Sequence, residues 1–372
     1  MARLTLAEHF ADLPDPRVER TRKHRLDDIL VIALCAILCG ATSFEDIEQF
    51  GECRKAWLRT FLRLPNGIPS HDTIYRVFCA LDAKVFAACF AQWVDELSAT
   101  LGLKPIAIDG KSLRGARGDT FTGCVHRVSA WATEQGLILG QESVAEKSHE
   151  IAAIPILLRA LHLNGAPVTI DAAGTQAGVV NAIRDGGGDY LLAVKGNQPT
   201  LHAAVRRVFS DACDRDFEGV TCTRHATVEG GHGRREERST TAIVAPPGLP
   251  AIWRDVAAVI QVNREREVDG KAVTTTHYYL TSLTGTAEGM AGLIRRHWAI
   301  ENELHWVLDV TFREDANPTR NRNAAANLGI VRRTAISLLK QEGSKVSMPR
   351  KTFRAALEPE YLGKLLQGNA VI

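Results

Sequence analysis

Two short apolar runs each end in an aspartate: Ile106-Ala107-Ile108 before Asp109, and Val168-Thr169-Ile170 before Asp171. Runs of this kind read as buried strands, which places each carboxylate at the carboxyl edge of a sheet, where sites gather in open α/β folds. An Asp in that position is also a common way to begin a turn, and either one alone carries little. The matched pair carries more. Two carboxylates on neighbouring strand ends repel each other unless a cation sits between them. A hard divalent ion resolves the conflict, because Mg²⁺ takes one or two carboxylates together with phosphate oxygens. The pattern points to metal-dependent chemistry at a phosphate.

A third carboxylate is expected from a helix. In Arg295-Arg296-His297-Trp298-Ala299-Ile300-Glu301-Asn302-Glu303-Leu304-His305-Trp306, helical spacing puts His297, Glu301 and His305 on one stripe. Leu293, Ile300, Leu304, Val307 and Thr311 form the neighbouring, mostly apolar stripe. Glu303 lies about 200° around the helix from that side. Glu301 is thus the better candidate, with Asp309 a rival two turns further on. Trp298 and Trp306 are assigned to the core. His297 is placed to orient Glu301 or touch phosphate, and hard Mg²⁺ makes it a poor metal ligand.

The elements that must hold these groups follow from periodicity. The first hundred residues read as helices: Leu26–Cys39, Phe44–Phe50, Glu52–Leu62, a segment N-capped by Ser70, and Phe86–Leu101. Leu58 to Leu81 has the outline of a helix-turn-helix, with His71, Asp72, Thr73 and Arg76 facing outward. Strands take over after residue 103. The order is strand, hairpin (Val125–Thr133 and Leu137–Val144), helix, strand, helix, strand, which implies a mixed sheet flanked by helices. Further strands at Ser239–Val244, Val256–Glu265 and Thr274–Ser282 read as a β-rich insertion with its own structure. Helices return from Glu288 to Phe312 and from Ala324 to Lys340, and no firm pattern follows Ser344. The expected organisation is a helical N-terminal domain (1–101), an α/β core in two parts (102–198 and 286–345), the insertion (199–285) and a C-terminal tail (346–372).

Composition narrows the class. The 45 Lys and Arg against 43 Asp and Glu leave a formal charge of +2, which by itself does not mark a nucleic-acid binder. Local runs do more: Arg17–Arg25 has five basic residues against one acidic, and Arg320–Lys340 has five against none. The eight cysteines include no CxxC pair and no zinc-finger spacing, so they read as buried free thiols. The longest apolar stretch, Ile29 to Ala41, is shorter than the ~20 residues of a membrane span. It reads as a core helix of a cytoplasmic protein.

Taken in order, several motifs resemble the DDE transposases of bacterial insertion sequences, in particular the H-repeat-associated branch. They are Ile108-Asp109-Gly110-Lys111-Ser112-Leu113-Arg114, Thr169-Ile170-Asp171-Ala172, Val194-Lys195-Gly196-Asn197-Gln198, His232-Gly233-Arg234-Arg235-Glu236-Glu237-Arg238, His297-Trp298-Ala299-Ile300-Glu301-Asn302, Leu304-His305-Trp306 and Leu308-Asp309-Val310. Pro69-Ser70-His71-Asp72-Thr73 extends the resemblance over nearly the whole chain. It implies an RNase H-like core with a β-rich insertion before the last catalytic helix. It also implies Asp109, Asp171 and Glu301 as the catalytic, metal-binding triad. The cofactor would be two Mg²⁺ ions, with Mn²⁺ able to substitute, and the partners double-stranded element ends and target DNA, with a homodimer on DNA and no membrane. Lys111, Arg114, Lys195, Asn197, His297, Arg320, Arg322 and Arg76 are the expected DNA contacts. The Tyr, Arg and Lys that accompany the glutamate in related transposases are Ile294, His297 and Leu308 here, so those contacts do not transfer. A nuclease without strand transfer and a degenerate, non-catalytic DNA-binding protein are the alternatives.

Overall fold

A computed structural model describes residue 10 and residues 13–101, 105–113, 125–144, 150–231, 234–244, 246, 248–268 and 271–367. The chain divides into two compact units. One contains Met1–Gly102, Gly110–Lys147 and Glu301–Ile372, and the other Leu103–Asp109 and Ser148–Ile300.

The first unit is mainly helical: α1 (Leu26–Leu38), α2 (Phe44–Leu58), α3 (His71–Ala80), α4 (Ala83–Leu101), α9 (Trp306–Val310), α10 (Arg322–Gln341), α11 (Met348–Leu357) and α12 (Pro359–Leu366). It also holds the distal half of strand β1 (Ile106–Leu113) and the hairpin β2 (Val125–Ala132) and β3 (Leu137–Val144), in the order β3-β2-β1. Helix α10 is its axis. Leu328, Ile330, Val331, Ala335, Ile336, Leu338 and Leu339 are all buried, and so are the polar Asn327, Arg332, Arg333, Thr334 and Ser337. Buried polar groups need partners. Asn327 Nδ2 donates to the carbonyls of Phe78 and Leu81 at 2.8 Å each, which closes the end of α3.

Several expectations change here. Phe44–Leu58 is one helix, opened by a capping box of Ser43 and Asp46. Ser70 caps α3 as expected, but twelve residues (59–70) separate α2 from α3. A helix-turn-helix uses a turn of three or four. The His71 side chain is partly exposed, and its Nδ1 and backbone N–H both meet Glu48 Oε2, at 2.6 and 2.8 Å, fastening α3 to α2. Residues 346–372 were expected to lack a pattern, yet α11 and α12 bury Ala355, Tyr361, Leu362 and Leu365. Among the described cysteines all are free, and only Cys35 is buried. No single described helix is long and apolar enough to cross a membrane.

The second unit is a sheet with helices. Its strands are the proximal half of β1, β4 (Pro167–Ile170), β5 (Asp189–Val194), β6 (Cys222–Gly231), β7 (Arg234–Val244), β8 (Ala258–Val268) and β9 (Lys271–Thr281). The order is β1-β4-β5-β9-β8-β7-β6. β1, β4 and β5 are parallel, and the remaining pairs antiparallel. The helices are α5 (Glu150–Arg159), α6 (Ala177–Asp185), α7 (Pro199–Asp214) and α8 (Ala287–His297). The strands of 199–285 were read as a separate structure, but β9 pairs with β5 from Leu191↔Thr281 to Val194↔Tyr278 and continues the same sheet. Ala287, Met290 and Ile294 of α8 pack on Leu191, Ala242, Ile260 and Val262, covering one face. On the other face, Tyr278 meets His202 and Phe209 of α7.

Candidate active site

Strand register brings Asp109 and Asp171 together. β1 and β4 are parallel with Ala107↔Thr169 and Ile108↔Ile170 paired, so the two aspartates occupy the next step on adjacent strands. Strands so paired lie about 4.8 Å apart. Thr169 also pairs with Leu191, whose side chain belongs to the cluster beneath α8. Alternation puts Thr169, Asp171, Ala107 and Asp109 on that same face.

The loop after β4 is held by its own polar groups. Asp171 Oδ1 accepts from Gly174 N at 3.2 Å, and the buried Thr175 hydroxyl donates to Ala193 O at 2.6 Å. Asn197 Nδ2 donates to Ala172 O at 2.6 Å. Asn197, expected to contact DNA, therefore ties the loop after β5 to the loop carrying Asp171. Lys195, two residues before it, is exposed. Gly174 is a close approach: a Cβ there would overlap Ile170 and lie 3.0 Å from Ile154 Cδ1.

His297, at the end of α8, places its Nδ1 3.0 Å from Thr169 Oγ1. The Thr169 hydroxyl donates to Ile106 O, so it accepts from a protonated Nδ1. Burial pushes this imidazole down to about 4, against the pull of the Asp171 carboxylate. A neutral histidine bonded to the sheet through Nδ1 brings no charge to a phosphate.

In the helical unit, Glu301 is exposed and begins a π-helical turn, Glu301–His305. Bonding from i to i+5 inserts a residue into the turn. The His297, Glu301 and His305 stripe assumed uninterrupted α spacing and does not carry through. Glu303, expected on the side of the helix away from Glu301, is half-buried and accepts from Lys340 Nζ at 2.5 Å. π turns occur disproportionately at functional sites. Trp298 and Trp306 were assigned to the core, yet they are 51% and 54% exposed.

Lys111 is the largest departure. Its side chain is buried, and Nζ lies 2.6 Å from Asp309 Oδ1, 3.1 Å from Asp315 Oδ1 and 3.6 Å from Glu314 Oε2. The expected phosphate contact is corrected: this ammonium is committed to three carboxylates and fastens β1 to α9. Deeper in, Glu314 meets Arg333 at 2.7 Å and Arg127 at 3.3 Å. Despite burial, the charges of Arg333, Arg127 and Lys111 hold the Glu314 carboxyl far below its usual range. Burial, followed by the Arg333 charge, lowers Arg127 to about 9. Lys111→Met should cost about 3 kcal/mol or more in urea unfolding, because it strands buried carboxylates. The salt dependence of DNA binding should not change. A slope reduced by one phosphate contact would return Lys111 to the DNA.

Arg76, Arg320 and Arg322 are exposed, with Arg76 4.0 Å from Asp72, and Arg114 lies outside the described residues. Among the described residues, no three His, Cys, Asp or Glu side chains are gathered at metal-binding spacing. The donors at the sheet edge are carboxylate oxygens, the type that suits a hard divalent ion.

The chain matches the family described as "Transposase DDE domain" over residues 76–338, and "DDE_Tnp_1-associated" over residues 7–94. "H repeat-associated putative transposase YhhI" of Escherichia coli (strain K12) is 36% identical over 375 residues, 98% of either chain. "Putative transposase YncI" of Escherichia coli O157:H7 is 36% identical over 371 residues, 97% of this chain and 94% of that one. A solved piggyBac transposase synaptic complex with hairpin DNA aligns with a TM-score of 0.45 at 11% identity, covering 98% of this chain and 78% of that one.

Proposed function

This chain belongs to the DDE transposase family, and from that membership we propose a divalent-metal-dependent enzyme that cuts the ends of an insertion sequence and joins them to target DNA. The observation that carries the reading is the register of β1 and β4, which sets Asp109 and Asp171 at the same step, one residue past the last pair, and on one face. Parallel β1, β4 and β5 in one unit and the order β3-β2-β1 in the other support an RNase H-like core. Glu301 is proposed as the third catalytic carboxylate.

When bound, two Mg²⁺ ions would activate an attacking oxygen and stabilise the leaving one. The protein's own part is positional. Asp171 is anchored through Gly174 N and keeps further lone pairs for a cation. His297 stays neutral and braces Thr169, two residues before Asp171. Water as nucleophile yields a nick, and a freed 3′-hydroxyl at the same site yields joining. A dimer on DNA, bringing two ends together, belongs to the same reading.

The test is Mg²⁺-dependent cleavage and joining of labelled DNA carrying the sequence that flanks this gene. Wild type, Asp109→Ala and Glu301→Ala are compared after circular dichroism has established that each is folded. Joining by wild type, lost in both variants, is the expected result. Cleavage without joining would favour a nuclease. Activity retained in either variant removes that residue from the triad.

A further inference from the structure

We propose that the outer halves of β7 and β8, together with Lys195, form an arginine-rich track for the phosphate backbone of double-stranded DNA, on the sheet face that carries Asp109 and Asp171. The inference rests on the transposase reading above and gives that site an approach surface.

The strand pattern Asn263-Arg264-Glu265-Arg266-Glu267 alternates sign with period two, so it sorts charge by face. Ile260 and Val262 lie beneath α8. Arg264 and Arg266 continue their parity beyond the helix, and the register sets Arg238 opposite Arg264. Lys195 follows Val194, which pairs with Tyr278, so it falls beside His277 on the same face. The His277 imidazole is held low by burial and then by the charges of Lys195 and Arg264, which places both cations near it. Arg295 of α8 joins the group through Glu229.

The balance on this face is positive. Glu236 bonds Arg264 at 2.6 Å and also meets Arg238, and Glu229 meets Arg238 at 3.3 Å. Around the outer strand segments, two carboxylates thus stand against Lys195, Arg238, Arg264, Arg266 and Arg295, with Asp109 and Asp171 further along the same face. Lys195 and Arg266 have no ion pair among the described residues. The opposite face of the same strand segments carries Arg235 against Glu237, Glu265 and Glu267. An anion approaching this sheet is attracted to one face and repelled from the other. Guanidinium forks suit phosphate oxygens, and the track has no aromatic anchor of the sort a protein partner would use. A phosphate backbone fits better than an acidic protein surface.

The test uses full-length protein in a chelating buffer, binding a labelled random-sequence duplex by fluorescence anisotropy over a salt series. Each phosphate contact contributes about 0.9 to the slope of log K against log salt. Arg266→Gln and Lys195→Gln should each lower the slope by about that amount. Arg235→Gln, an exposed arginine on β7 facing the other way, should leave it unchanged. Equal effects from Arg235→Gln would mean bulk charge and would overturn the track. So would an unchanged slope in Arg266→Gln and Lys195→Gln, including the case where these variants instead alter self-association in sedimentation. A lowered slope in a protein that never cleaves in Mg²⁺ supports the track while the catalytic reading fails. Cleavage with an unmoved slope is the reverse.

Discussion

Asp171→Asn should lose metal-dependent DNA cleavage by on the order of 10³-fold or more, comparable to removing one charge-stabilising group from a preorganised site. It should do so without unfolding. Asp171 is exposed, and an asparagine oxygen can still accept from Gly174 N in place of Oδ1. The substitution also removes one of two like charges on adjacent strands, so the metal-free variant should be as stable as wild type or slightly more so. Added Mg²⁺ separates the two proteins further. A ligand that binds only the folded state stabilises it by mass action, so Mg²⁺ should raise the melting temperature of wild type and not that of Asp171→Asn. The Asp109→Asn, Asp171→Asn double variant should be no less active than either single one, because groups acting as a unit are not additive. A double variant worse by the product of the two effects would mean that the aspartates act separately. An Mg²⁺-induced shift surviving in Asp171→Asn would mean that the ion binds elsewhere.

The largest effect on stability is expected from Glu314→Gln, at about 3–5 kcal/mol, the range for removing one partner from a buried ion pair. Glu314 is 6% exposed and lies among Arg333, Arg127 and Lys111, with Arg127 and Arg333 themselves 0% and 1% exposed. Without the carboxylate, these cations are left in a dry interior to repel one another. Arg127 has little room to withdraw, because it lies against Gly329, where even a Cβ would overlap its guanidinium. Arg313, just before Glu314, holds φ at +48°, a left-handed conformation costly for a side-chain-bearing residue, which persists where surrounding contacts over-determine it.

The pH dependence has a definite sign. Glu314 is depressed in the folded state, so its contribution is fully present above its unfolded value near 4.5 and is lost as pH falls below that. His305, in the same unit, is lowered to about 4 by burial and by the Arg333 and Lys111 charges. It is a base held neutral, so the unfolded chain binds the extra proton between 6.5 and about 4, and stability is lost as pH falls through that window. Urea unfolding of wild type, His305→Gln and Glu314→Gln from pH 7.5 to 4 is the check. The histidine variant should flatten the upper part of the decline, and the glutamine variant at 314 the part below about 4.5. A wild-type midpoint independent of pH would contradict both.

Periodicity located the secondary structure well because it is a local property. Ser70 does cap a helix, Asp171 does follow the end of β4, and strand Leu137–Val144 has the boundaries expected, whereas Asp109 lies within β1, which runs on to Leu113. Adjacency of Asp109 and Asp171 was also legible, since two apolar runs of the same length and ending favour equal registers in a parallel sheet. The C-terminal helices were harder to read. Pro349 and Pro359 resemble breakers, but both occupy first turns, where a missing N–H costs little.

What the amino-acid order determined by itself was the family, the aspartates that follow two apolar strand runs, and the two-residue alternation that separates arginine from glutamate in β8. Each depends on neighbours within a few positions, or on a motif read whole. Tertiary structure alone decided the fate of the charged side chains. Lys111 looks like a phosphate ligand until Asp309, 198 residues later, closes on it at 2.6 Å. His297 looks like a cation until burial against Thr169 holds it neutral. The strands of 199–285 look like a separate insertion until β9 pairs with β5. The state of a titratable group depends on the charges and the solvent it meets in space, and strand pairing joins segments far apart along the chain; neither is encoded in local spacing.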